Sequence, residues 1–131
     1  YNLIPSLTVL ENVALVGEIA IKPFDPREAL ELVGLLHRLD HFPSQLSGGE
    51  QQRVAVARAL VQSPSAVLAD EPTGELDSKT GEQIVQLMVD LNQQTGQTFV
   101  IVTHNDEVAK ACDRVVQMLD GQIVGKPKRR K

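Results

Sequence analysis

Three short stretches of this 131-residue chain carry residue types that could do chemistry, at the spacing chemistry needs. The first is Leu46-Ser47-Gly48-Gly49-Glu50-Gln51-Gln52-Arg53. Ser47 and Glu50 stand at capping-box spacing, which predicts a helix that begins at the glycines and runs through Val54–Val61. Two glycines at that start leave backbone N–H groups uncovered, with the positive end of the helix dipole behind them. This is an anion site, and a phosphate is its natural guest. The plainer alternative is a helix cap whose glycines serve a tight turn. The second stretch is Asp70-Glu71, which closes the apolar run Ala66-Val67-Leu68-Ala69. It offers a carboxylate for Mg²⁺ next to one that could orient a water. A solvated turn, with Pro72 and Gly74, is the alternative. The third is Thr103-His104-Asn105, at the end of another apolar run. There an imidazole could reach a terminal phosphate, or could simply cap the next helix. Asp77 is by default the N-cap of a helix beginning at Ser78.

The elements that must position these residues fall into two textures. The first 45 residues read as helical. Thr8 and Glu11 have capping-box spacing ahead of Val9, Leu10, Val13 and Ala14. Asp25 starts a second helix with Pro26 at its first position, and Ala29, Leu32, Val33 and Leu36 form one buried stripe. Ile21–Phe24 connects the two. From Ser47 onward helices alternate with short strands. Ile84, Leu87, Met88 and Leu91 share a helix face. Thr98–Val102, β-branched and apolar, reads as a strand buried on both faces. A short helix over 106–111 and a hairpin, Arg114–Met118 and Gln122–Val124 turning at Asp120-Gly121, complete the pattern. Strand–helix–strand order predicts a parallel sheet, whose carboxyl ends are where ligands bind.

Composition narrows the classes. The length suits one domain, and no apolar run approaches the roughly 18–20 residues needed to span a bilayer. Nothing resembles a signal peptide. Cys112 is the only cysteine, which excludes an internal disulfide framework; it reads as core packing. Seventeen acidic against thirteen basic residues give a net charge of −4, which argues against a nucleic-acid binder. Five of the basic residues lie in positions 126–131, a basic tail expected to be solvated and disordered, with anionic lipid or an acidic partner as a possible contact. His37 and His41 read as surface positions around a helix end; their i, i+4 spacing without a third ligand does not make a zinc site.

LSGGEQQR, VLADEPTGELD and VIVTHN, in that order, resemble the nucleotide-binding subunit of ABC transporters. The first resembles the signature motif, the second Walker B with its glutamate and D-loop, the third the switch-histidine loop. YNLIPSLTVLENVAL, EPTGELDSKTG and DGQIV are similar to the branch that includes macrolide exporters and lipoprotein-release ATPases, with cell-division ATPases nearby. The resemblance implies an α/β fold: the C-terminal part of an ABC-type P-loop NTPase core with mainly parallel strands, plus an N-terminal helical subdomain. Its parts are the helical subdomain (1–45), the signature loop and helix (46–62) and the second half of the α/β core (63–125). It implies ATP and Mg²⁺ as ligands. Asp70 would hold Mg²⁺ through water, and Glu71 would polarise the attacking water. His104 would contact the γ-phosphate. Ser47, Gly48, Gly49 and Glu50 would meet ATP held by the other subunit of a head-to-tail dimer, with Asp77 at that interface. The partners implied are a second ATPase subunit and membrane permease subunits, at the cytoplasmic face of the membrane, with no nucleic acid. The function implied is powering a permease that exports or extracts a lipid-linked or hydrophobic substrate. The alternatives are a cell-division-type ATPase that signals through a permease-like partner, or a non-hydrolysing remnant.

One departure is large. A Walker A sequence is absent from the 131 residues, and the nearest imitation, Gly121-Gln122-Ile123-Val124-Gly125-Lys126, is one residue short and followed by Pro127. The chain alone is therefore expected neither to bind ATP tightly nor to turn it over, and it reads as a fragment of an intact ATPase.

Overall fold

Caps set the helix starts. In the computed structural model, which describes residues 1–129, a polar side chain closes the first turn of every α-helix. Thr8 and Glu11 form a capping box on α1 (Val9–Gly17). Asp25 accepts from Arg27 and Glu28 at the start of α2 (Pro26–Leu32). Ser47 and Glu50 box α3 (Gly48–Leu60), Asp77 caps α4 (Ser78–Thr95) and Asn105 caps α5 (Asp106–Ala111). Each such cap satisfies backbone donors that the helix itself leaves without acceptors.

The core lies where α1, α2 and α3 meet one another and the inner face of α4. Val13, Leu30, Val33, Val54, Val61 and Ile84 are fully enclosed there. Asn12 is buried among them without cost. Its Oδ1 accepts from Ile4 N, and its Nδ2 donates to the carbonyls of Ile4, Leu7 and Thr8. One side chain thus pins the N-terminal segment to α1, and neither of its polar atoms is left without a partner.

Two strand pairs follow. β1 (Ala66–Asp70) and β2 (Thr98–Val102) run parallel, joined by the α4 crossover, with Ala66 opposite Thr98 and Asp70 opposite Val102. β3 (Arg114–Leu119) and β4 (Gln122–Arg129) form an antiparallel hairpin. Its turn places Asp120 at φ 49° and Gly121 at φ 76°, the paired positive values of a two-residue hairpin turn.

Four expectations need correction. The second helix stops at Leu32, because Gly34 takes a left-handed φ of 74°; Leu35 enters the core in place of Leu36, which is exposed. Thr98–Val102 is not buried on both faces. Leu68, Val100 and Val102 point away from α4 and are 78%, 49% and 60% exposed, since among the described residues the sheet has two strands and one helical cover. The hairpin is longer than expected: the backbone of residues 126–129 continues β4, with Lys128 opposite Val115 and Arg129 opposite Arg114, so this part of the tail is a paired strand. Arg130 and Lys131 lie outside the described residues. Cys112 is half-buried at the end of α5, with its thiol against the Val108 carbonyl, and is not part of the core.

Candidate functional site

The turn that opens α3 is held by a chain of side-chain hydrogen bonds. Ser47 N donates to Glu50 Oε2 at 2.9 Å, and Glu50 N donates to Ser47 Oγ at 3.2 Å. The second carboxylate oxygen of Glu50 accepts from Arg38 Nε at 2.9 Å. Arg38 in turn places Nη1 3.2 Å from His41 Nε2. The hydrogen bonds from Ser47 and the Arg38 guanidinium hold the Glu50 carboxyl below its ordinary range, against an opposing contribution from partial burial. With the third N–H of the helix taken by Ser47, those of Gly48 and Gly49 are taken by no acceptor among the described residues. The turn therefore leaves two backbone donors without acceptors at the positive end of a 13-residue helix, where an anionic oxygen would be favoured.

The strand ends build a second cluster. Glu71 leaves β1 in a left-handed conformation, φ 43°, with its N–H donating to Val102 O at 2.8 Å. That kink turns its carboxylate onto the end of β2. Oε1 accepts from His104 N at 2.9 Å and lies 2.6 Å from His104 Nδ1; Oε2 accepts from Thr103 Oγ1 at 3.0 Å. An ionised carboxylate only accepts, so the Nδ1 contact is made with a proton on Nδ1, and this exposed ring leaves Nε2 free of any partner among the described residues. The His104 side chain is the largest cause of the lowered Glu71 pKa, with the His104 backbone and Thr103 adding to it and desolvation opposing. Glu71 is thus a carboxylate at neutral pH with one acceptor position left on Oε2, able to orient a water.

The remaining candidates sit around these two clusters. Asp70 ends β1, is exposed, and makes no hydrogen bond with its side chain among the described residues. Asp77 is held by Thr80, whose N donates to Oδ1 at 3.0 Å and whose hydroxyl donates to Oδ2 at 2.6 Å, so its pKa too is lowered. Glu71 and His104 are brought together; the signature turn and the Glu71 cluster share no hydrogen bond among the described residues. Residues 121–126 are no phosphate loop: Gly121 makes the hairpin turn and the others lie along β4, paired with β3.

A family model described as "ABC transporter" matches residues 1–74. The chain belongs to the ABC transporter family. The ATP-binding protein of the lipoprotein-releasing system of Bacteroides fragilis is 49% identical over 129 residues, which is 95% of this chain and 60% of that protein. Among solved structures, the dimeric bacterial ABC transporter cassette MJ0796 matches with a TM-score of 0.76 and 44% identity over 98% of this chain and 59% of the cassette. The same cassette in a dimeric post-hydrolysis state with ADP and Pi matches with a TM-score of 0.75 and 43% identity, again over 98% of this chain and 59% of the cassette. The chain therefore spans about three-fifths of the length of these ABC relatives.

Three contributors escaped the sequence reading. Thr103 adjoins His104 in VIVTHN, and a hydroxyl beside an imidazole at a strand end was a legible signal. Arg38 stands twelve positions before Glu50 and carries no local signal. Thr80 reads on the sequence as an ordinary first-turn residue of α4.

Proposed function

We propose that this chain forms the signature, Walker B and switch-histidine part of an ABC ATPase that hydrolyses ATP as a head-to-tail dimer to drive a membrane permease. The observation that carries the reading is the pair of clusters on one chain. A donor-bearing helix start at Ser47–Gly49 and a carboxylate–imidazole clasp at Glu71–His104 are the two halves of a phosphoryl-transfer site. In the head-to-tail dimer of this reading, each cluster serves the ATP of a different subunit. Ser47, Gly48, Gly49 and Glu50 would meet ATP held by the partner, with Asp77 beside them. Glu71 would orient water toward ATP held on its own side. His104, with Nδ1 on Glu71 and a proton on Nε2, would donate to the terminal phosphate.

Among the described residues no group of three His, Cys, Asp or Glu gathers to hold a metal, whereas Asp70 offers one exposed carboxylate. Asp70 thus fits Mg²⁺ as a single ligand, through water, to an ion carried by the nucleotide phosphates. Bound there, Mg²⁺ would neutralise phosphate charge. The likeness to lipoprotein-releasing proteins supports a lipid-linked cargo and a place at the cytoplasmic face of a membrane, and the net negative charge supports partners other than nucleic acid.

ATP turnover by the full chain from its native gene tests the reading. Glu71→Gln removes the water-orienting carboxylate and is expected to lower kcat about 100-fold or more while ATP still binds. Turnover indifferent to that substitution sinks the assignment. Residues 1–131 by themselves are expected to be inactive, lacking a phosphate loop; micromolar ATP binding with Glu71-dependent hydrolysis by that segment would overturn this.

A further inference from the structure

We propose that Thr80 is a positioning residue that ties Asp77 to Gly49, so that the signature turn and the loop following Glu71 move as one body. The proposal rests on the reading of both as parts of an ATP-dependent interface between subunits.

The geometry begins with Gly49, which is buried. A side-chain carbon added to Gly49 would lie 2.6 Å from Thr80 Cγ2, closer than carbon atoms can pack. The space a side chain would take is therefore already filled by α4. Gly49 answers a demand from inside the protein, separate from leaving its N–H open toward an anion.

Thr80 cannot yield that space freely. It is β-branched, and its hydroxyl donates to Asp77 Oδ2 at 2.6 Å while its N–H donates to Oδ1 of the same carboxylate. Turning the side chain to withdraw the methyl would take the hydroxyl off Asp77. The methyl on Gly49 and the hydroxyl on Asp77 are thus two arms of one stiff lever. Its neighbours are packed in the same way. A carbon added to Gly48 would stand 3.2 Å from Leu76 Cδ2, and one added to Gly81 would stand 3.3 Å from Thr73 Cβ. Gly48 and Gly49 leave room for Leu76 and Thr80 to seat on the start of α3, while Gly81 leaves room for Thr73 to fold back on α4. In so closely packed a joint, a displacement at Asp77 passes to the signature turn without slack.

A double-substitution cycle in the full chain separates this from a demand made by phosphate. Thr80→Ser removes the methyl and keeps the hydroxyl; Thr80→Val keeps a methyl and removes the hydroxyl. Gly49→Ala is expected to lower kcat about tenfold, with KM for ATP held within about twofold because the partner holds that nucleotide first. Adding Thr80→Ser is expected to recover most of that loss, and adding Thr80→Val none of it. Thermal midpoints should follow the same cycle, falling with Gly49→Ala and recovering with Thr80→Ser. Additive effects in both readouts overturn the linkage. A recovered midpoint with turnover still low also overturns it, placing the need for Gly49 on the phosphate side. If the unsubstituted full chain turns over no ATP, the functional reading fails, and the melting cycle alone decides the linkage: rescue by Thr80→Ser upholds it, additivity removes it.

Discussion

The helical part of the molecule and its strand part use apolar residues in opposite ways. In α1, α2 and α3 nearly every apolar side chain on the inner face is enclosed, and the one buried polar side chain, Asn12, is fully hydrogen-bonded. In the parallel pair β1–β2 only one face is covered. Val67 is buried and Phe99 and Ile101 are partly so, while Leu68, Val100 and Val102 on the other face meet no cover among the described residues. The hairpin β3–β4 likewise leaves Met118, Leu119 and Ile123 exposed. The candidate chemistry lies on the boundary. Its signature turn belongs to the enclosed part, and its Glu71–His104 clasp belongs to the open one. Enclosure holds the first through packing and a cap; the second is held by hydrogen bonds across two strand ends.

This contrast can be broken or sharpened by measurement. The largest effect is expected at Leu30, which is completely enclosed. Leu30→Ala should destabilise by roughly 2–5 kcal/mol in denaturant unfolding of the full chain; a loss below the lower end would mean that the helical core is loose. Next, Ser47→Ala removes one arm of the capping box on α3 and should cost about 1 kcal/mol, with Ser47→Gly milder. An effect equal to that of Leu30→Ala would show that the turn, not the core, organises the helical part.

Acid comes third in size. The Glu50 carboxyl is held below its ordinary value of 4.5 in the folded chain, so its contribution is fully present above 4.5 and fades as pH falls through the depressed value. Glu71 has the same sign for a different cause, the His104 contact. Glu50→Gln should therefore be less stable than the parent at neutral pH, with the difference shrinking below 4.5. A difference that does not change with pH would remove the ionic account of the Arg38–Glu50–Ser47 chain. The smallest effect belongs to the open face: Leu68→Thr should change stability by no more than about 0.5 kcal/mol. A loss comparable to that at Leu30 would mean that the face is covered in the molecule that folds.

The outcome of the sequence reading follows the range of each interaction. Thr8–Glu11, Asp25, Ser47–Glu50 and Asp77 cap helices where their spacing said they would, because a cap is made within three residues. The misjudged stripe on α2 is also local in origin. Periodicity favoured Leu36, but the left-handed Gly34 breaks the period and turns Leu35 inward. The burial of β2 was overstated for a different reason. A β-branched run states what a strand can bury, not what is present to bury it.

The sequence by itself determined the helix starts, the hairpin turn and the identity of the chemical groups at the signature turn and the strand ends. All of these depend on residue type and short spacing. Tertiary structure alone decided that Glu71 would be clasped by Thr103 and His104, that Arg38 would hold Glu50, and that Gly49 would have to make room for Thr80. Those partners stand 12 to 33 positions apart. Their meeting is fixed by the pairing of β1 with β2, by the packing of α3 against α4 and by the fold of the turn at Leu36–Arg38 back onto α3, which no local pattern encodes.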